Sequence, residues 1–167
     1  MVLGRIVEKV SGLSFPQFLR KNVFRPLRMK ETVAHQAYGY SQREGSFVRT
    51  DRSAASALLG DSGVYSSLDD LRKWDRALER YRLVKEDTWR QAVTPGVLST
   101  GELTEYGFGW ELTRHRGRTT WSHEGSTIGF AAYIARFPDN GLTVIVLLNR
   151  TDIHPRKLAL QIADLFL

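Results

Sequence analysis

Apolar residues recur with a helical period in the first part of the chain and with a strand period in its last third. The first helical stretch is followed by Gly12, a residue that commonly ends helices. Its apolar positions lie three or four residues apart or side by side: Val2, Leu3, Ile6, Val7 and Val10. The chain is therefore predicted to begin with an amphipathic helix.

Capping signals and prolines predict where the other helices start. Ser14 with Gln17 forms a capping box before a second helix that ends at Pro26, and Ser67 with Asp70 forms another before a third helix. A short fourth helix is expected over residues 86–93, and Pro155 is expected to open a terminal one. The predicted apolar faces are Phe15, Phe18, Leu19 and Val23, then Leu68, Leu71, Trp74 and Leu78, and finally Leu158, Leu160, Ile162, Ala163, Leu165 and Phe166.

Four antiparallel strands are predicted between residues 106 and 150. Their expected spans are 106–114, 119–124, 127–137 and 142–150. Gly117 among basic residues predicts the tip of one hairpin, and the run from Pro138 to Gly141 predicts the turn of another. Residues 33–60 show no sustained period and are expected to run over the surface. The pattern favours the α+β class, with an antiparallel sheet packed with helices.

Length and composition are typical of one globular domain over residues 1–167. The hydrophobic content of 42% is enough for a real core, and there is no cysteine to form disulfides or thiolate metal sites. Charged residues follow the start too soon for a signal-peptide core, and the longest apolar run, near Val144–Leu148, is too short to span a bilayer. We expect a soluble chain whose compartment the sequence does not reveal.

The net charge of +6 raises the question of an anionic partner. Most basic residues are interleaved with acids, as over residues 69–76, which is typical of a solvated helix face. No nucleic-acid motif accompanies the charge, so we expect no nucleic-acid partner. Two basic clusters stand out, the second of them at the predicted hairpin tip: Arg20, Lys21, Arg25, Arg28 and Lys30, and Arg114, His115, Arg116 and Arg118.

The segment from Trp121 to Phe130 carries the most informative chemical pattern. On an extended strand His123 and Gly125 point to the same side, and glycine leaves room for a ligand to lie against the backbone. The segment therefore predicts one wall of a binding cleft. A histidine with a purely structural role is the alternative that the pattern leaves open.

Two other chemical patterns fail on structural grounds. Gly60-Asp61-Ser62-Gly63 copies the nucleophile segment of trypsin-like proteases, but a helix is predicted directly afterwards, where those proteases have β-barrels. A zinc site at His123-Glu124 would need a second histidine at Thr127 and a helix. The remaining histidines are isolated and are expected at the surface: His35, His115 and His154. We therefore expect neither a metal nor a cofactor.

Several segments resemble class C serine β-lactamases and their relatives among penicillin-binding proteins, D-alanyl-D-alanine carboxypeptidases and esterases. They follow one another in the family's order over nearly the whole chain: residues 3–12, 24–29 with Thr32, 60–71, 106–110 and 123–130. Arg28 and Ser62 stand where the family often has glycine, so the local backbone there is expected to differ. The resemblance implies an incomplete β-lactamase/transpeptidase-like fold.

Two of the family's three catalytic motifs do not occur in these 167 residues. No serine is followed by lysine three positions later, and no tyrosine by asparagine two positions later. Only the third motif, His123-Glu124-Gly125, has a counterpart. The resemblance therefore implies the C-terminal portion of a longer serine hydrolase.

By resemblance, the third motif assigns roles to three residues. His123 would orient the substrate and assist proton transfer, and Gly125 would let the substrate backbone approach the strand. The backbone amide of Ser126 would be one donor of the oxyanion hole. Strand alternation turns the Ser126 hydroxyl and Glu124 the other way, and packing is expected of the neighbouring aromatic residues Trp110, Trp121 and Phe130.

Two functions follow as expectations. The intact parent would hydrolyse a small-molecule or peptide amide, a β-lactam or an ester through an acyl-serine intermediate, and this chain alone would be inactive. The alternative is a non-catalytic module that binds a ligand or partner and self-associates through an open sheet edge. The sequence does not choose among the substrates.

Overall fold

The computed structural model describes residues 2–34, 38–50 and 63–167. These residues group into two compact units. The first unit takes in Met1–Ala77, Thr127–Phe130 and Asn149–Asp152, and the second takes in Leu78–Ser126, Ala131–Leu148 and Ile153–Leu167. Three parts of the chain that carry predictions lie outside the described residues: His35, residues 51–59 of the expected surface run, and Gly60-Asp61-Ser62.

The first unit begins with the two predicted helices. Helix α1 (Val2–Ser11) ends at Gly12, whose φ of +68° is a left-handed conformation that suits glycine. Helix α2 (Phe15–Leu19) has the predicted capping box, because the Gln17 amide donates to Ser14 Oγ at 3.4 Å and the Ser14 amide to Gln17 Oε1 at 3.1 Å. A π-helical turn (Arg20–Phe24) continues α2 towards Pro26.

Short strands occupy part of the stretch that we expected to run over the surface. Strand β1 (Val33–Ala34) pairs with β4 (Val64–Tyr65), and β2 (Tyr40–Arg43) pairs with β3 (Ser46–Arg49). The tight turn at Glu44 and Gly45 has φ values of +48° and +78°, as two-residue hairpins require. These short strands were not predicted, whereas the expected surface location agrees with the exposure of β3. Strand β3 is exposed throughout, so neither of its faces shows an apolar period.

Helix α3 (Leu68–Glu79) starts where predicted, but Asp70 does not lie on a solvated face. The Asp70 amide donates to Ser67 Oγ at 3.3 Å, as in a capping box. Its carboxylate turns inward and is 1% exposed. It accepts hydrogen bonds from the Glu31 amide at 2.8 Å, Thr32 Oγ1 at 2.9 Å and Lys73 Nζ at 2.6 Å. The solvated-face prediction is wrong here because these partners include a segment nearly forty residues upstream.

The pKa of Asp70 reflects these contacts. Burial by itself would raise the pKa of this carboxyl, but the hydrogen bonds from Lys73, Glu31 and Thr32 and the charge of Lys73 outweigh it and lower the pKa. The carboxylate is thus held ionised inside the first unit. It joins the start of α3 to the segment before β1.

The second unit is an antiparallel sheet with helices, as the sequence predicts. Its strand order is β5 (Glu111–His115), β6 (Arg118–Thr127), β7 (Phe130–Phe137) and β8 (Leu142–Leu148), and its helices are α4 (Glu86–Ala92) and α5 (Pro155–Ala163). Alternate residues of β7 and β8 pack with residues of α5 and form the core: Tyr133, Ala135 and Phe137 from β7, Val144 and Val146 from β8, and Ala159 and Ala163 from α5.

The strand boundaries differ from the predicted spans, most of all at the start of β5 and at the end of β6. Strand β6 continues through Gly125 and Ser126, where a break was expected, and the chain turns at Gly129, whose φ is +81°. Strand β5 starts at Glu111 instead of Tyr106, because the residues between them form a loop closed by the Gly107 amide, which donates to Trp110 O at 2.8 Å. The predicted turns at Arg116-Gly117 and Pro138–Asn140 are confirmed.

His115 is not the isolated surface residue that the sequence predicts. Its Nε2 lies 2.7 Å from Asp164 Oδ1, and its ring packs edge-on against Phe137 with centroids 6.1 Å apart. Arg116 also pairs with Asp164, at 2.8 Å. The end of α5 is therefore tied to the β5–β6 hairpin. Within the described part of the chain, no helix is long and apolar enough to cross a membrane.

Candidate functional site

The strand that carries His123 changes character along its length. Thr120 and Ser122 are buried, as expected of an inner sheet strand. From His123 to Ser126 every residue is exposed, so the strand leaves the packed part of the second unit at the histidine. The extended conformation of the His123 segment is confirmed, and the functional role of His123 stays a prediction.

The His123 imidazole has one partner among the contacts of the described residues, Tyr106. The Tyr106 hydroxyl lies 2.9 Å from His123 Nε2, and the two rings meet edge-on with centroids 6.2 Å apart. Tyr106 itself is 44% exposed. The contact fixes one ring nitrogen of His123 and orients the imidazole at the surface. Sequence reasoning used Tyr106 only as part of the family resemblance and did not identify it as a site residue.

The loop that presents Tyr106 is fixed by backbone hydrogen bonds. The Gly96 amide donates to Tyr106 O at 3.0 Å, and Thr104 Oγ1 donates to the same oxygen at 2.9 Å. Two residues further on, the Phe108 amide donates to Ala92 O at 2.9 Å. These bonds attach the loop to the end of α4, so the position of the Tyr106 ring is set by packed structure.

Gly107 allows this attachment. A Cβ atom at position 107 would lie 2.1 Å from Ala92 O, closer than any side chain can approach a carbonyl oxygen. Glycine is therefore required here by the close passage of two backbones. The glycines around Phe108 were a sequence signal for such a loop, although they did not reveal what the loop contacts.

Three tryptophans pack beneath the loop and the strand. Trp89 meets Trp110 and Trp121 edge-on, with ring centroids 5.9 Å and 5.8 Å apart. Trp89 and Trp110 are buried, and Trp121 is half-buried. The predicted packing role of Trp110 and Trp121 is confirmed. Phe130 packs instead against Tyr65 within the first unit, with centroids 5.2 Å apart.

Gly125 and Ser126 follow His123 on the exposed part of β6. A Cβ atom at position 125 would meet only the Ala132 Cβ, at 4.0 Å, which is an ordinary contact. The fold itself therefore does not require glycine at this position, in contrast to Gly107. A Cβ atom has room beside Gly125, and the use of that space by a ligand stays a prediction. Glu124 is exposed, also as expected.

The two departures from the family pattern have different outcomes. Arg28 has a φ of +56°, so it adopts the left-handed conformation that glycine favours. The expectation of a different local backbone at Arg28 is therefore wrong. Ser62 lies outside the described residues.

Comparison with known proteins identifies the family of this chain. The family model described as Beta-lactamase matches residues 1–165. A penicillin-binding protein of Bacillus subtilis is 30% identical, over 91% of this chain and 38% of its own length. A D-aminopeptidase of Gluconobacter oxydans is 27% identical, over 89% of this chain and 30% of its own length. The chain thus spans well under half the length of these relatives.

Solved structures give the same result for the fold. The octameric penicillin-binding protein homologue from Pyrococcus abyssi has a TM-score of 0.85 and 27% identity, and covers 98% of this chain and 40% of its own. A penicillin-binding protein from Bacillus halodurans has a TM-score of 0.78 and 26% identity, and covers 97% of this chain and 52% of its own.

Proposed function

This chain belongs to the Beta-lactamase family, and from that premise we propose that it supplies one wall of the active-site cleft of a serine hydrolase. In the intact parent, a serine outside these 167 residues would attack an amide, β-lactam or ester carbonyl and form an acyl-enzyme that water then hydrolyses. The observation that carries the proposal is the exposed His123, held by Tyr106 on an extended strand.

Each site residue has a defined role in this proposal. His123 offers its imidazole to the carbonyl or carboxylate of the substrate and takes part in proton transfer at the acylated serine. Gly125 admits the substrate backbone to the strand, which the open space at its Cα position supports. The Ser126 amide donates one hydrogen bond to the developing oxyanion, and a second donor comes from the nucleophile's segment.

The chain by itself is proposed to be inactive. In a serine hydrolase, loss of the nucleophile alone lowers kcat by about 10⁶, and what remains depends on oxyanion stabilisation and substrate binding. Here the sequence contains no Ser-x-x-Lys to provide the covalent route. The half of the cleft formed by β6 can therefore contact a substrate without turning it over.

Incubation of the 167-residue chain with a chromogenic cephalosporin, D-alanine p-nitroanilide and p-nitrophenyl acetate tests this proposal. We expect hydrolysis at the rate measured in buffer, and an unchanged intact mass after treatment with benzylpenicillin. Steady turnover or a stoichiometric adduct that His123→Ala abolishes would show that the chain is an enzyme on its own.

A longer protein that joins residues 1–167 to a segment with Ser-x-x-Lys provides the positive arm. In it we expect His123→Ala to lower kcat/KM by about 10² to 10³, the range for removal of one well-placed donor. Ser126→Ala is the matched control, because it keeps the backbone amide, and it should change kcat/KM less than about threefold. Equal losses in both variants would contradict the assigned roles.

A second candidate is a non-catalytic module that self-associates. Exposed apolar residues on α1 favour it: Val2, Leu3, Ile6 and Val10. The octameric state of the Pyrococcus abyssi homologue supports self-association as well. Sedimentation of a strict monomer at high protein concentration would exclude this candidate and leave the cleft-wall proposal intact.

A further inference from the structure

One groove of the first unit is lined by basic side chains that the proposed catalytic role does not use. All of them are exposed, and none forms an ion pair with a carboxylate of residues 2–34, 38–50 or 63–167: Arg20, Arg25, Arg28 and Lys30. They belong to the first basic cluster of the sequence. Since all four residues line one concave surface, their charges create a positive potential there.

The floor of the same groove is apolar. Pro16, Phe24 and Val33 line it together with the buried Met29, and the groove has a volume of about 650 Å³. This volume is in the range of sites for small organic ligands. A purely ionic ligand would leave the Phe24 and Met29 surface uncovered, whereas a ligand with an apolar portion would cover it.

Hydrogen bonds hold the groove in this shape. The Met29 amide donates to Phe24 O at 2.8 Å, and the Arg28 amide donates to Arg25 O at 3.0 Å. Lys73 Nζ donates to Arg28 O at 3.0 Å while it also pairs with the buried Asp70 carboxylate. The basic residues therefore stand on a fixed backbone, so little ordering of that backbone is needed when a ligand binds.

We propose that this groove binds an amphiphilic anion, with a phosphate monoester head between the basic side chains and an aliphatic tail on Phe24 and Met29. Arginine guanidinium groups favour phosphate oxygens because they donate two parallel hydrogen bonds. Among the described residues that line the groove, Phe24 is the one aromatic residue. This disfavours a nucleic acid, since single strands require a series of stacking rings along a basic track. The groove is separate from His123 in the sequence, and anion binding in it does not depend on the proposed hydrolase function.

Calorimetric titration of the 167-residue chain with decyl phosphate below its micelle concentration tests this site. We expect saturable binding of one molecule, at least about tenfold tighter than inorganic phosphate or decyl maltoside, because each of these lacks one of the two contacts. The double variant Arg25→Gln, Lys30→Gln should weaken the binding at least about tenfold, since hydrogen bonds to charged groups contribute this much or more.

The double variant Arg43→Gln, Arg82→Gln is the matched control, because it removes the same charge from exposed residues that do not line the groove. It should change the affinity less than about twofold at physiological ionic strength. Circular dichroism shows whether both double variants fold. If Arg25→Gln, Lys30→Gln does not fold, the single variant Arg25→Gln replaces it.

Three outcomes would overturn the proposal. Equal weakening by both double variants would show a general charge effect. Inorganic phosphate or decyl maltoside that binds as tightly as decyl phosphate would show that only one half of the ligand is recognised. Binding to phosphatidylglycerol vesicles without binding to monomeric decyl phosphate would identify a membrane surface as the partner instead.

Discussion

Replacement of Asp70 by alanine is expected to lower the free energy of unfolding by about 3 kcal/mol at pH 7, since buried donors that lose a charged acceptor cost about this much. The variant leaves the Glu31 amide and the Thr32 hydroxyl without the acceptor they use in the folded chain. Lys73 is more than a third exposed, so water can solvate its ammonium group and limit the loss. Urea unfolding followed by circular dichroism measures the change.

Asp69→Ala is the matched control for this variant. Asp69 is the neighbouring residue on α3, carries the same charge and is exposed. Its removal should cost less than about 1 kcal/mol, the contribution of an acid near a helix N-terminus. A similar loss in Asp69→Ala and Asp70→Ala would contradict the structural role of the buried carboxylate.

The effect of Asp70 should also depend on pH. Its pKa is lowered in the folded chain, so its contribution is present above the unfolded value of about 3.9 and is lost as the pH falls through the folded pKa. The difference in stability between the wild type and Asp70→Ala is therefore expected to shrink between pH 5 and the acid limit of folding. A difference that stays constant down to that limit would contradict the lowered pKa.

Gly107→Ala is expected to destabilise the second unit by about 3 kcal/mol and to lower its melting temperature by roughly 10 °C, because overpacking against a fixed backbone carries costs of this size. The new methyl group would lie 2.1 Å from Ala92 O, so the loop has to move away from α4. That movement also displaces Tyr106 from His123. Differential scanning calorimetry measures the stability change.

Gly125→Ala gives the contrasting result. Its methyl group finds only an ordinary contact with Ala132, so the stability should stay the same or rise by up to about 1 kcal/mol, as expected when alanine replaces glycine in a strand. The pair separates a glycine that the fold requires from one that leaves room for a ligand. An equal loss at both positions would contradict this distinction.

Local patterns predicted much of the fold. The Ser14–Gln17 capping box, the Arg116-Gly117 turn and the extended conformation of the His123 segment all follow from residues within a few positions of one another. The hairpin of β2 and β3 was missed because both strands are largely exposed and carry no apolar alternation. Its Glu-Gly turn was the signal that was available.

The contacts that matter most for the site and for stability are distant in the sequence. Asp70 and Thr32 are 38 residues apart, and His115 and Asp164 are 49 apart. No local period indicates such a pairing, so Asp70 was predicted on a solvated helix face and His115 at the surface. Tyr106 and His123 lie 17 positions apart, and a loop that depends on Gly107 brings them together. The order of the motifs was sufficient to identify the family, but it did not indicate which residues contact one another.

The proposed cleft wall depends on His123 being held by Tyr106 at the exposed end of β6. The ¹⁵N resonances of the imidazole side chains, recorded for the wild type and Tyr106→Phe, measure this contact directly. We expect the His123 Nε2 resonance to shift when the hydroxyl is removed, while those of His115 and His154 stay unchanged. An unchanged His123 resonance would show that Tyr106 does not hold the imidazole and would contradict the proposed geometry.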